Sequence, residues 1–293
     1  MKKINTILIG LGNIGFKYDL NKNAIQTHTK AILKNKDFNL LGAIDSNKKR
    51  IKDFKKQYNL PVYSNLKNKL IKKADLVVLA VPTKKQLGLF YKITQLGYKK
   101  NFLFEKPFTI NKKLIFDLTK IKNRKFFINY YRNFDNILIK TLKKVKNSEK
   151  NLLIKAYYSK GFYHNFSHYL TLFIKIFGKI NKFQIQKKKK LKNDYLIRGK
   201  LIFKKMIIFI DFIDKSKECN FHIFKNNNKI WSYENDGLKI KSKFKKYKIA
   251  PNLDYMANVY KNIRKIIYKK NTNYYDINNH LKTVENLTIN NEI

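Results

Sequence analysis

A doubly wound parallel α/β domain, followed by an α+β domain built on an open, mainly antiparallel sheet, is the architecture that the sequence predicts. Three observations carry that expectation. An apolar strand at Ile4–Ile9 runs into three glycines, Gly10, Gly12 and Gly15, spaced G-x-G-x-x-G. Over residues 1–130, apolar strands alternate with helical stretches, the pattern of parallel strands joined by crossover helices. From Lys179 to about Lys243, five strand-like runs follow one another across polar turns with no long helix between them, as antiparallel strands do.

The first strand and its glycines carry the most chemistry. Gly10 permits a tight turn, Gly12 lets a pyrophosphate approach the backbone, and Gly15 lets the following segment pack close to the sheet. The second strand, residues 38–44, is apolar and ends in Asp45, whose carboxylate can accept both ribose hydroxyls of an adenosine. Asp45 lies thirty residues past Gly15, where about twenty is usual, so the connection carries an insertion. The polar, turn-like run at 16–23 accounts for it, ahead of a helix at 27–35. The combination predicts dinucleotide binding by Gly10, Gly12, Asn13, Ile14, Gly15 and Asp45. A basic helix at 46–58 opens with Lys48, Lys49 and Arg50, close to where a 2′-phosphate would lie. Asp45 favours NAD, and these cations leave NADP open.

The next strand, residues 75–83, is continuously apolar until Pro82 stops it, as expected of a central strand buried on both faces. A helix at 85–97 leads to a strand at 101–104, which delivers Glu105-Lys106-Pro107 to the carboxyl edge, where open α/β sheets place their ligands. A helix at 112–122 and a strand at 125–130 complete a Rossmann domain, residues 1–130. Residues 131–293 form the expected substrate-binding and oligomerisation domain. It begins with a helix at 136–146, a strand at 152–158 and an amphipathic helix at 165–177 ending at Gly178. The five strand-like runs are 183–187, 195–203, 206–212, 219–224 and 229–233, and helices at 254–268 and 276–287 close the chain. The densest charge run, residues 187–190, reads as a solvated strand end or loop.

Composition narrows the function classes. The net charge of +46 suggests a polyanionic partner, but only five of the 65 basic residues are arginine, and the lysines are spread over the whole chain. Lys, Asn, Ile, Phe and Tyr are enriched together while Gly (10) and Pro (4) are scarce, the signature of A/T-rich codons. A nucleic-acid binder concentrates charge and uses arginine for bidentate contacts, so no specific nucleic-acid partner is expected. The single cysteine, Cys219, excludes an intramolecular disulfide and a Cys-rich metal site, and agrees with a reducing compartment. No apolar run reaches eighteen residues, so no membrane span is expected. Lys2 and Lys3 precede an apolar stretch too short, and too soon broken by glycine, for a secretory leader. A cytoplasmic protein is the expectation.

Two segments could do chemistry beside the cofactor. A lysine next to an oxidised nicotinamide has its charged form disfavoured, so Lys106 could give or take a proton. Glu105 could orient it or cap the following segment. His164 and His168 stand four apart, a spacing that could bind metal, but no matching third ligand is evident and no metal is expected. His168, opening an amphipathic helix, reads as an acid/base beside a substrate hydroxyl or as a buried structural histidine.

The order Gly10-x-Gly12-x-x-Gly15, Asp45, Val81-Pro82-Thr83, Glu105-Lys106-Pro107, Tyr131-Arg132, then Gly161 through His168 to Gly178, resembles the Gfo/Idh/MocA family. These are NAD(P)-dependent oxidoreductases acting on sugars, inositols and related polyols. The resemblance runs from the first strand to the last helices, with the C-terminal sheet matching only in outline. It implies that Lys106 assists proton transfer, that His168 is the catalytic histidine, and that Pro82, Thr83 and Glu105 line the cofactor site. It further implies that Tyr131, Arg132, His164 and Asn165 face a sugar-like substrate; a phosphorylated or nucleotide-linked sugar suits the positive field. Two departures stand out: His164 occupies a position where many members carry aspartate, and Gln86 replaces a histidine common after the Val81-Pro82-Thr83 segment. The first raises an alternative, a non-catalytic NAD(P)-binding sensor or partner subunit. The open sheet implies self-association as a dimer or tetramer.

Overall fold

The computed structural model describes residues 2–148, 152–192, 194–213, 219–234, 239–242, 254–268 and 277–288. The chain divides into two units, Met1–Tyr131 with Asp254–Leu281, and Arg132–Leu253 with Lys282–Ile293. In the first unit the chain alternates β1 (Ile4–Ile9), α1 (His28–Leu33), β2 (Phe38–Ile44), α2 (Lys48–Gln57), β3 (Val62–Tyr63) and α3 (Asn68–Lys73). It continues with β4 (Leu76–Leu79), α4 (Thr83–Gln95), β5 (Asn101–Phe104), α5 (Lys112–Thr119) and β6 (Phe126–Ile128). The six strands pair in parallel in the order β3-β2-β1-β4-β5-β6. The order reverses at β1, so β1 and β4 flank the crevice in which doubly wound sheets bind ligands. Every residue of β4 is buried, which is why that strand reads as an unbroken apolar run. Asn47 and Asn111 fix the starts of α2 and α5 by accepting the Arg50 and Leu114 N–H groups.

The insertion after Gly15 is real. Residues 13–17 make a π-helical turn, and α1 begins only at His28. Asp19, buried at the centre of the loop, accepts from the Gln26 and Thr27 amides and from the Thr27 hydroxyl. A loop whose backbone donors are met by its own carboxylate needs no regular structure to be held.

The second unit carries α6 (Asn136–Lys146), β7 (Leu152–Tyr158), α7 (Ser167–Phe177), β8 (Ile180–Lys190), β9 (Tyr195–Phe203), β10 (Met206–Phe212), β11 (Asn220–Lys225), β12 (Asn228–Glu234) and β13 (Lys239–Ser242). Its sheet runs β13-β12-β11-β7-β10-β9-β8. All pairs are antiparallel except β7 with β10, which is parallel. One face packs Ile154, Ala156, Ile208, Ile210 and Phe221 into a core with Leu138, Leu142, Leu170 and Phe173 from α6 and α7. Residues 187–190 form the exposed end of β8, paired with β9.

Two helices remain, α8 (Tyr255–Tyr268) and α9 (Ile277–Thr288). The sequence assigns both to the second domain, but α8 belongs to the first unit, where Met256, Val259, Tyr260 and Ile263 bury its apolar stripe. The division is therefore discontinuous in sequence rather than a single cut at residue 130. Asp276, the expected first residue of the last helix, lies outside the described residues. No described helix is long and apolar enough to cross a membrane.

Candidate functional site

The carboxyl ends of β1, β2, β4, β5 and β6 bring together Gly10–Gly15, Asp45, residues 81–83, residues 105–107 and Asn129 in the first unit. The three glycines play different parts. Gly10 has φ +104°, and a Cβ there would run into the Ala80 carbonyl. A Cβ on Gly15, which is buried, would run into the Gly10 carbonyl. Both positions are glycine because the chain's own backbone leaves no room. Gly12 differs: the nearest atom to a Cβ there is Arg50 Nη1, 3.9 Å away. No described atom comes closer to a Cβ at Gly12, so the backbone there is open to a ligand that must approach it closely. Asn13 is exposed and Ile14 half-buried on the turn that follows. This cradle fits the pyrophosphate of a dinucleotide.

Asp45 follows the second strand, beside the glycine turn. Its side chain is 6% exposed; Oδ2 accepts the Leu11 N–H at 2.7 Å, and Oδ1 accepts the Asn47 N–H at 2.8 Å. The carboxylate thus braces the glycine turn itself. Arg50 Nη1 stands 3.4 Å from Asp45 Oδ2.

On the other side of the crevice the Glu105-Lys106-Pro107 segment is anchored from four directions. The Glu105 carbonyl accepts Gln86 Nε2 at 2.8 Å, and the Pro107 carbonyl accepts the Thr83 hydroxyl at 2.8 Å. Glu105 Oε1 accepts Asn129 Nδ2 at 2.6 Å and lies 2.7 Å from His28 Nε2. His28 Nδ1 is in turn 2.9 Å from the Tyr260 hydroxyl. With Nε2–H donating to the carboxylate and Nδ1 accepting from tyrosine, both ring nitrogens of His28 are satisfied. Lys106 is half-buried, is joined to Pro107 by a cis peptide bond, and follows a residue that cannot move without breaking this row. Just beyond, the Thr109 carbonyl is held by His280 Nε2 at 2.7 Å, and burial lowers the His280 pKa to about 4. His28, Asn129, Tyr260 and His280 were not expected to take part. A lone histidine opening a helix after a threonine cap, with an asparagine ending a strand, is the available signal, and it is too common to stand out.

In the second unit a π-helical turn, Phe162–Phe166, leads into α7. Asp194 sits at the head of that turn, accepting the Tyr163 N–H at 3.0 Å and the His164 N–H at 2.7 Å. Gly161 (φ +107°) makes room for it, since a Cβ there would strike the Asp194 carboxylate. Burial, with the Asp194 charge nearby, pushes the Tyr163 phenol up to about 12. His168 is 3% exposed on α7, whereas His164 is exposed and Asn165 half-buried on the turn. The histidine pair therefore spans two environments instead of one helix face. Among the described residues no group of three or more His, Cys, Asp or Glu gathers as metal ligands. Arg132 is 5% exposed; its Nη1 donates to the Tyr233 hydroxyl at 2.6 Å, which donates to Asp135 Oδ2 at 2.8 Å. Its guanidinium is thus engaged in the interior of the second unit. Tyr131, ending the first segment of the first unit, stacks on Tyr255 with ring centres 4.2 Å apart.

Residues 4–129 match the family model described as "Oxidoreductase family, NAD-binding Rossmann fold" (GFO_IDH_MocA). No curated protein matches the chain in sequence. Among solved structures, the MviM dehydrogenase from Clostridium difficile aligns with TM-score 0.73 at 16% identity, covering 100% of both chains. The WlbA dehydrogenase from Bordetella pertussis, solved with NADH and UDP-GlcNAcA, aligns with TM-score 0.71 at 15% identity, over 98% of this chain and 94% of that one. A myo-inositol dehydrogenase from Corynebacterium glutamicum aligns with TM-score 0.67 at 14% identity, over 97% and 94%. These likenesses establish a shared fold along the whole chain.

Proposed function

We propose that this chain, whose residues 4–129 match the Gfo/Idh/MocA model of NAD-binding Rossmann oxidoreductases, is an NAD-dependent dehydrogenase or reductase acting on a CH–OH group. The substrate class is a sugar, inositol or nucleotide-sugar-like molecule. One observation carries the reading: Gly12 is open above while Gly10 and Gly15 are forced by the chain's own backbone, so the glycine signature is completed by a ligand and not by packing. A nicotinamide dinucleotide supplies hydride acceptance or donation when bound. The chain's part is to bind, orient and move a proton. Gly12, Asn13 and Ile14 would hold the pyrophosphate, Asp45 the adenosine ribose, and Pro82, Thr83 and Glu105 the walls of the nicotinamide side. Lys106 would handle the proton of the substrate hydroxyl, held in place by the anchored Glu105 backbone. His168 is assigned the second acid/base role, with His164, Asn165, Tyr131 and Arg132 on the substrate side.

The positive charge supports a phosphorylated or nucleotide-linked sugar over a neutral polyol. The solved relatives with inositol and UDP-sugar names support the same range. A cytoplasmic setting is supported by the single cysteine. Self-association is supported by the outer sheet face of the second unit, where Ile207 is 43% exposed; a monomer in sedimentation at micromolar concentration would remove it. The test is turnover, read as NADH formation or loss across a panel of polyols, sugar phosphates and UDP-sugars. Activity on one class, lowered about a hundredfold or more in Lys106→Ala, is expected of a lost general acid–base. NADH binding with no turnover on any class would favour the non-catalytic sensor instead.

A further inference from the structure

His28 and Tyr260 are wholly buried groups that the proton chemistry proposed above does not use. Both belong to the first unit, as do Glu105 and Lys106. His28 Nδ1 lies 2.9 Å from the Tyr260 hydroxyl, and Nε2 lies 2.7 Å from Glu105 Oε1. A carboxylate only accepts, so Nε2 carries a proton and points it at Glu105. The backbone under the ring is fixed as well. The Thr27 hydroxyl accepts the Lys30 N–H at 3.2 Å, and the Thr29 hydroxyl donates to the Gly15 carbonyl at 2.7 Å. Around Lys106 the chain is gripped on two sides. Thr83 and Gln86, both on α4, hold the carbonyls of Pro107 and Glu105, while the Glu105 carboxylate is tied to His28 and Asn129.

We propose that His28 is a positioning residue for Lys106: its Nε2–H fixes the Glu105 side chain, and through it the direction in which the next residue presents its ammonium. The inference rests on the dehydrogenase reading given above, in which Lys106 handles the proton of the substrate hydroxyl. The α4 bonds grip two backbone oxygens, and a segment held at two points still turns about the line between them. The carboxylate supplies the third point. Asn129 alone does not replace His28, because both bond the same oxygen, Oε1, and a carboxylate held by one bond swings about it. Proton transfer needs the ammonium within hydrogen-bond reach of the hydroxyl, and a displacement of about 1 Å costs as much as about a hundredfold in rate. Buried hydrogen bonds behind the reacting group hold it to that tolerance. His28 acts through Glu105 and is not itself a catalytic residue.

Two substitutions separate positioning from packing. The amide nitrogen of glutamine reaches about as far as imidazole Nε2, and that of asparagine about as far as Nδ1. His28→Gln therefore keeps a donor for Glu105, whereas His28→Asn keeps only the Tyr260 side. Each loses one bond and some volume, so a histidine that merely packs would give the two variants similar turnover. The full chain, as wild type and both variants, is assayed for NADH formation or loss with myo-inositol, a hexose phosphate and a UDP-sugar. NADH affinity by fluorescence and melting temperature are measured alongside. His28→Gln is expected to keep kcat within about threefold of wild type and His28→Asn to lose about tenfold or more, with NADH affinity within about threefold in both. Equal kcat losses in the two variants, or a loss confined to KM or to NADH affinity, would overturn the inference. If His28→Asn does not fold, His28→Gln decides alone: retained turnover supports the inference, and a loss of about tenfold overturns it. A wild type that binds NADH but turns over none of the three substrates overturns the dehydrogenase reading and this inference with it. That outcome is distinct from the others, all of which leave wild-type turnover intact.

Discussion

His28 Nε2 lies 2.7 Å from Glu105 Oε1, so the first turn of α1 holds the strand end that carries Lys106. The acid also accepts Asn129 Nδ2 at 2.6 Å, and its side chain is only 12% exposed. Replacing Glu105 by alanine leaves two buried donors without their acceptor, so Glu105→Ala should destabilise the chain by about 2–4 kcal/mol. Glu105→Gln keeps an acceptor in place and should cost clearly less. Urea unfolding of the two variants against wild type checks the order, and equal losses would contradict it.

Acid should loosen the same region through His280. Its imidazole titrates about pH 4 in the folded chain and near its ordinary 6.5 when unfolded, because burial disfavours the charged form. Between those values the unfolded chain binds more protons. The stability from the buried neutral ring is therefore complete above about pH 6.5 and is lost as pH falls toward 4, by about 3 kcal/mol in all. His280→Gln cannot titrate. Urea midpoints measured at about pH 7.5 and about pH 5 should fall less in the variant than in wild type.

Gly15 is a packing requirement. A methyl group there must displace the Gly10 carbonyl, and a backbone atom yields only by distorting the turn. Gly15→Ala should lose about 2 kcal/mol or more and lower the melting temperature, with or without nucleotide. An unchanged melting temperature would contradict the geometry.

In the second unit the Tyr233 hydroxyl links Arg132 to Asp135 through bonds of 2.6 and 2.8 Å. Without it the two charges face each other at 3.9 Å. Tyr233→Phe should cost about 1–3 kcal/mol, the usual penalty for stranding buried polar groups. Thermal unfolding of the variant measures it directly.

Much of this was legible in the sequence because the signals are local and periodic. The β1 run, the glycine spacing, the acid ending β2 and the apolar strand before Glu105 each announce themselves within a dozen residues. What stayed hidden depends on partners far along the chain. β3 is two residues long, too short for alternation to show, and α3 is six residues with little but lysine around its buried Ile71. The parallel pairing of β7 with β10 follows from sheet order, which no local pattern encodes. Asp194 reaches the turn before α7 from thirty residues downstream of His164, and Tyr260 reaches His28 from 232 residues away. Nothing near Gly161 in the sequence says why it is glycine; a Cβ there would strike the Asp194 carboxylate. The return of α8 to the first unit is equally invisible, since an amphipathic stripe does not say which core it covers.

The most direct test of the central claim is NADH binding by wild type and Gly12→Val, followed by fluorescence titration with thermal melts alongside. Because the nearest atom to a Cβ on Gly12 is 3.9 Å away, the variant should melt within a few degrees of wild type, since the added Cβ displaces no packed neighbour. It should nevertheless lose NADH affinity by about a hundredfold, since the added side chain fills the space a pyrophosphate must enter. Saturable NADH binding that survives the substitution, or a wild-type chain that binds no NADH at all, would contradict the account.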